Sequence, residues 1–427
     1  MHSTFTAMAA ALAASALASP AFAQYATPTP AAPAVAATPV AAAAVPAAPP
    51  LCPSNISKGA RKPLIDLQTA VVAKDATAFA TADAAARAAV KSADDRCILA
   101  QLEMNFAGSR NDYAAAGTAL EAIAASGVGN PAQMLSLTDT LGKLRYNAKD
   151  YAGAAAMFER AIKLAPNDSE QYILLGETRA KTGQVDAALE LYRKGIAVQA
   201  ASGGKVKEDY LKHAVGLAYD NKNAQAFSLA RDWVAAYPTP KNWRDAIKIY
   251  TILGTNSTTD LLDMYRLQRA TRALAGEADF GRYAQAALQK GLVGEAKAVL
   301  DEGIAANAIS ATSPAIKMLS TQAAAKVAGD RASLGAAATK ALAGALAKPA
   351  QVTADALYGY GDYAKAADLY RAALGKTGAD AGQINLRLGA ALAMAGDKAG
   401  AKVAFDAVTG PKAEMAKYWL TYLAQRP

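Results

Sequence analysis

Four landmark positions recur at one fixed interval. Gly142 is followed 34 residues later by Gly176, Ala154 by Ala188, Phe158 by Tyr192 and Ile162 by Ile196. A shared period of that length with matched residue classes marks a stacked repeat, whose single unit cannot bury its apolar face alone. Inside the unit the pattern is helical. Ala154, Phe158, Ala161, Ile162 and Ala165 fall on one face by three- and four-residue steps. Pro166 ends that helix, because proline cannot continue the backbone ladder. A preceding helix with Leu141 and Gly142 stops at the polar turn 147–150. Gly142 and Ala154 are therefore expected where two antiparallel helices cross, with Phe158 filling the space beyond.

Composition agrees with helices throughout. The chain has 427 residues, 53% hydrophobic and only 7% aromatic, and much of the apolar content is alanine, a strong helix former. One compact core would be over-long at this size, since single cores stop growing near about 250–300 residues. Several domains or a solenoid are the alternatives. The period selects the solenoid.

The motif resembles the tetratricopeptide repeat, a 34-residue helical hairpin. Counting from Leu135, Leu141-Gly142, Ala154, Phe158, Ala161 and Pro166 fall on that family's pattern. From Ser169, Tyr172, Leu175-Gly176, Ala188 and Tyr192 do the same. The departures are Arg145 and Arg179 where the family carries a first-helix Tyr, Thr138 at the opening aromatic, Gly195 at the second Ala and Ala200 at the final Pro. Related signals return in YGDYAKAADLYRAAL and LGAALAMAGDKAGAKVAFDAV. Weaker ones include a turn expected at Gly329-Asp330. Residues 205–280 can be phased in two ways. The resemblance implies an all-α fold, an α-solenoid of stacked helix–turn–helix hairpins wound as a right-handed superhelix over residues 55–427. Its clearest repeats are 135–168, 169–202, 347–380 and 382–415. A terminal helix, KYWLTYLAQ, would cap it, or Tyr418, Trp419 and Tyr422 would dock a partner.

The N-terminus reads as a signal peptide over 1–23, an apolar stretch closing on Ala21-Phe22-Ala23 with cleavage before Gln24. No Lys or Arg precedes that stretch, which departs from the usual pattern. Residues 24–54 are rich in Pro and Ala, composition that favours an extended, disordered spacer. Export without a permanent membrane anchor, to the periplasm or outside the cell, is the expectation. Cys52 and Cys97 suit an oxidising compartment. Paired, they would close a loop worth roughly 4 kcal/mol; two unrelated thiols is the other reading.

Groups for catalysis are sparse. The chain has two histidines, His2 and His213, and no Cys/His cluster with metal-ligand spacing. Gly203-Gly204-Lys205 lacks the glycine spacing of a phosphate loop. Asp94-Asp95 and Asp301-Glu302 read as solvated charge. No cofactor and no metal are expected, and the basic residues do not interleave with aromatics as nucleic-acid binding requires.

Binding remains. By the resemblance, first helices line a concave groove, here Asp139, Lys143, Tyr146 and Asn147 in one repeat and Ile173, Glu177 and Lys181 in the next. Lys143 and Asn147 share a face, as in family members that grip a C-terminal carboxylate, but Thr178 and Ala180 do not supply the rest of such a clamp. Mixed signs suit a protein or extended peptide partner. The net charge of +9 keeps a second reading open, in which the chain serves polysaccharide export or cell-wall handling and holds an anionic envelope glycan or a glycan-active enzyme. A hydrolase hidden in residues 205–330 would need a pocket with paired acids.

Overall fold

A single residue in the left-handed region turns the chain back on itself between successive helices. The computed structural model describes residues 50–254 and 258–426. The expected signal peptide, His2 and the spacer up to residue 49 lie outside them. Lys74, Asn111, Lys149, Gly183, Lys222, Gly291, Gly361 and Gly396 all have positive φ at such a turn. Several are followed at once by an Asp whose carboxylate caps the next helix. Asp150 accepts from Gly153 N at 2.9 Å and Asp397 from Gly400 N at 2.8 Å. The cap satisfies backbone donors that have no partner inside the helix.

Two compact units result, one ending at Gly204 and the other beginning at Lys205. The first holds α1 (Arg61–Ala73), α2 (Ala76–Ala89), α3 (Ala93–Ser109), α4 (Tyr113–Ser126), α5 (Pro131–Asn147), α6 (Tyr151–Leu164), α7 (Ser169–Lys181) and α8 (Val185–Ala201). They pack as consecutive antiparallel pairs, each pair against the next. The helix crossing expected at Gly142 is present: a Cβ there would lie 2.6 Å from Phe158 Cε1. Cys52 and Cys97 form a disulfide that ties the segment before α1 to α3. Leu51 and Cys52 are buried in the core of this unit, so the packed chain starts ahead of the boundary at residue 54 read from composition.

The second unit holds α9 (Glu208–Asp220), α10 (Gln225–Ala236), α11 (Pro240–Leu253), α12 (Thr258–Ala270), α13 (Gly276–Gln289), α14 (Val293–Ala305), α15 (Pro314–Ala343), α16 (Ala347–Gly359), α17 (Tyr363–Leu374), α18 (Ala381–Ala395), α19 (Lys398–Asp406) and α20 (Ala413–Ala424). These bounds settle the phasing of 205–280. They also correct one expectation. Gly329-Asp330 is no turn but the middle of α15, a 30-residue helix. Alanine on both sides carries the helix through a glycine that costs about 1 kcal/mol, and no proline stops it.

The last helix does not end the stack as a free cap. α20 packs on α10 and α18. Tyr418 and Trp419 are 0% and 1% exposed. Tyr418 Oη donates to the carbonyls of Phe227 and Ala246 at 3.3 and 3.4 Å, and Gln425 Nε2 to Val234 O at 2.8 Å. Trp243 Nε1 donates to Gln425 Oε1 at 3.1 Å, and Arg231 pairs with Glu414. The C-terminal aromatics are thus spent inside the unit and are not free to dock a partner. Among the described residues there is no β-strand, only one parallel bridge between Leu346 and Thr377.

Candidate functional site

The faces of α5 and α7 that sequence spacing assigns to a groove are linked by charge. Lys143 Nζ stands 2.8 Å from Asp139 Oδ2, one turn back on its own helix, and 3.2 Å from Glu170 Oε1 on α7. Gln171 Nε2 donates to Asp139 Oδ1 at 3.1 Å. Burial alone would lower the Lys143 pKa, but Asp139 and Glu170 outweigh it and hold the ammonium above its ordinary value. Tyr146 is half-buried, its ring 5.5 Å from that of Tyr151. Its phenol is pushed up to about 12, first by burial, then by Glu177 and Tyr151. Tyr192 on α8 is raised by the same order of causes, burial and then Glu177.

The residues assigned to this face by spacing are brought together only in part. Asp139, Lys143, Tyr146 and Glu177 come together. Asn147 and Lys181 are exposed at the ends of their helices. Ile173 is not on the face: it is 3% exposed and packs toward α8, where a Cβ on Gly195 would meet its Cδ1 at 2.9 Å. The face of α7 runs instead through Glu170, Leu174, Glu177 and Lys181, by steps of four, three and four. Glu170 and Gln171 carry no mark in the repeat register counted from Ser169, which assigns Ile173, Glu177 and Lys181 to the groove. The four-residue step back from Leu174 would have reached Glu170.

The family's missing tyrosines have a separate use. Arg145 Nε donates to Tyr113 O at 3.0 Å and Nη2 to Ala114 O at 3.0 Å, so α5 is strapped to the second helix of the preceding hairpin. Gly117 leaves room for that guanidinium, since a Cβ there would sit 2.6 Å from Arg145 Nη2. Arg179, one repeat later, reaches back to Glu159 on α6.

Residues 146–202 match the family model of the tetratricopeptide repeat. No curated protein matches the chain. Among solved structures, that of Naa15/Naa10 bound to HypK-THB is 13% identical, aligned over 83% of this chain and 63% of that one, with a TM-score of 0.21. The present chain therefore spans less than two thirds of the length of that structure's chain.

In the second unit the inward-facing charges bind one another. Arg266 on α12 grips Glu295 on α14 through two bonds, 2.8 and 2.7 Å, and lies over the ring of Tyr358 at 4.5 Å. Arg387 on α18 donates to Asp263 at 2.9 Å and to Asp355 on α16 at 2.6 Å. Tyr283, Tyr370 and Gln383 donate to Glu295, Asp355 and Asp263 in turn. Every oxygen of the three carboxylates thus accepts a hydrogen bond. Burial and the facing carboxylates act oppositely on Arg266, and the carboxylates prevail, so its pKa stands well above the usual value. Asp263 and Glu295 are the two carboxylates of this lattice that fall within residues 205–330.

The remaining sequence candidates are structural. Asp95 closes a capping box with Ser92 and accepts from Ser57 N at 2.9 Å. Burial pushes its pKa upward, and those hydrogen bonds reverse the shift and hold it below the ordinary carboxylate range. Asp301 pairs with Lys297 and Glu302 with Arg269. Lys205 Nζ lies 3.9 Å above the Tyr237 ring, and His213 is exposed on α9. Among the described residues no group of His, Cys, Asp and Glu is placed to hold a metal ion, and no helix is long and apolar enough to cross a membrane.

Proposed function

We propose that this chain is a non-catalytic scaffold that binds a protein or extended peptide through the α5/α7 face of its first unit, after export to an oxidising compartment such as the periplasm. The carrying observation is the polar, half-exposed face built by Asp139, Lys143, Tyr146, Glu170 and Glu177 on first helices of successive tetratricopeptide repeats. A repeat stack gives a long surface of this kind with little reorganisation. Export is supported by the Cys52–Cys97 disulfide, by the absence of free cysteines among the described residues and by the leader-like N-terminus.

The positive charge does not favour the glycan reading. Residues 51–204 are close to charge-balanced, and nearly the whole excess falls in 205–427, where every helix from α9 to α20 carries at least one Lys or Arg. Several of these cations are individually paired along the same helix, as in Lys241–Asp245, Lys297–Asp301 and Lys402–Asp406.

The test is crosslinking of the full chain in an envelope extract, read by mass spectrometry. One reproducible partner joined to Lys143 and Lys181 supports the scaffold reading. Crosslinks confined to the second unit, or salt-sensitive retention of anionic glycan with no protein, would sink it.

A further inference from the structure

We propose that α2 is a flap latched to α3 by a proton shared between the carboxyls of Asp83 and Glu103, and that loss of this proton above neutral pH frees the helix. The device belongs to the opening hairpin of the first unit and does not depend on peptide binding at α5 and α7.

Composition leaves α2 weakly anchored. Alanine fills most of its 14 positions, and among them only Ala86 is buried. Phe79 stacks on Phe106 of α3 with ring centroids 3.7 Å apart. Arg87 bridges the two helices: its Nε donates to Asp83 Oδ2 at 2.7 Å, and its Nη2 pairs with Glu103 of α3. α1 is fastened by other means. The Cys52–Cys97 disulfide and the bond from Ser57 N to Asp95 at 2.9 Å tie the segment before it to α3, and it buries Leu64, Leu67, Ala70 and Val71. So α2 can part from α3 while α1 stays in place.

The bridge is one positive charge short. Two carboxyls share a single guanidinium, and they face each other within hydrogen-bonding contact. Asp83 Oδ1 is buried there and receives no donor from the described residues. A proton on the pair supplies that donor and turns repulsion into a hydrogen bond. The helices packed on α2 are α1 and α3. Charged side chains on α1 are Arg61, Lys62 and Asp66, the last two paired with each other. On α3 they are Asp94, Asp95, Arg96 and Glu103, with Asp95 held in its capping box and Arg96 donating to Lys91 O. Of all these and the groups on α2, only Asp83 and Arg87 act on Glu103.

The sign of the pH effect follows. Burial and then Asp83 raise Glu103 to about 7, with Arg87 opposing. Released into water, a glutamate titrates near about 4.3. The closed hairpin therefore binds the proton more tightly than the open one, and rising pH favours opening. Opening bares the Phe106 ring, which is buried while α2 is seated. A detached helix as short as α2 is marginal in water, so its amides then exchange with solvent.

Hydrogen–deuterium exchange of the full, oxidised chain at pH 5 and pH 8, read by mass spectrometry, tests the latch. Each amide rate is divided by its intrinsic rate at that pH. Protection of residues 76–89 is expected to fall about tenfold or more from pH 5 to pH 8, while α7 in the same unit keeps its protection. Glu103→Gln puts a group in place that hydrogen-bonds without ionising, so α2 should stay protected at pH 8. Asp83→Asn removes the other charge and should do the same. A flat α2 profile in the parent overturns the proposal, and so does an undiminished fall in both variants. A fall shared by α7 also overturns it, because the unit would then be losing stability as a whole.

Discussion

Close approach at single residues sets the helix crossings. Gly142 and Gly389 face Phe158 and Phe405 at 2.6 and 2.5 Å from a would-be Cβ, and neither ring has free space to retreat into, both being 1% exposed. Gly142→Ala and Gly389→Ala should each destabilise by about 1–3 kcal/mol through overpacking. Gly176→Ala should cost less, since its nearest atom, Ala188 O, stands at 3.2 Å. Urea midpoints of the three variants would rank them, and a Gly176 variant as weak as the others would contradict the geometry. A second residue-scale effect is tied to pH. Glu103 on α3 is pushed up to about 7, first by burial and then by Asp83 on α2, with Arg87 opposing. The folded state therefore holds this proton more tightly than the unfolded one, where a glutamate titrates near about 4.3. That stabilisation is complete below the unfolded value and is lost as pH rises through about 7. Glu103→Gln should accordingly melt higher than the parent at pH 8 and approach it at pH 5. A gap that does not change with pH would refute the assignment.

Helices and their joints were legible to different degrees. The turns were readable, because a left-handed residue and an Asp cap form a local signature, as Lys149-Asp150 and Gly396-Asp397 show. So was the Gly142–Phe158 crossing, which follows from spacing within one hairpin. The role of Arg145 was not readable. Its acceptors are the main-chain carbonyls of Tyr113 and Ala114, and a carbonyl leaves no mark in the residue type. Of the candidate site, Asp139, Lys143, Tyr146 and Glu177 were placed by register. Glu170 and Gln171 were not, because the repeat register from Ser169 puts Ile173 on the face and passes over the first turn of α7. The straps are open to test. Arg145→Ala should cost about 1–3 kcal/mol, the price of parting a charged group from its hydrogen bonds. Reduction of the Cys52–Cys97 bridge should cost roughly 4 kcal/mol in the chain-entropy model. Melting in the presence and absence of a thiol reductant, followed by proteolysis at α1 and α2, would locate that loss in the first unit.

The second unit as a whole is held by groups far apart in sequence. Asp263 and Arg387 are 124 positions apart, and Gln425 reaches Val234 across 191. No 34-residue period could pair them, since separations of 124 and 191 are not multiples of it. Truncating Arg266 would leave Glu295 a buried carboxylate without its cation. Arg266→Met should therefore destabilise this unit by about 3–5 kcal/mol. Replacing Arg266, Glu295, Asp263, Asp355 and Arg387 together by apolar residues of similar volume should cost far less. Chemical denaturation of residues 205–427 as part of the full chain, followed by Trp233, Trp243 and Trp419, all in this unit, would measure both. A single Arg266 variant as stable as the parent would show the lattice to be idle.

The seat of α20 also bears on the order of events during synthesis. A linear stack of hairpins can consolidate repeat by repeat as it emerges, but here α10 and α11 find their last neighbours among residues 413–426. The surface those helices present to Tyr418 and Trp419 stays uncovered for the time it takes to translate nearly two hundred further residues. At about 5–20 residues per second that is an interval of some ten to forty seconds. A chain cut short before residue 413 would leave that apolar surface bare.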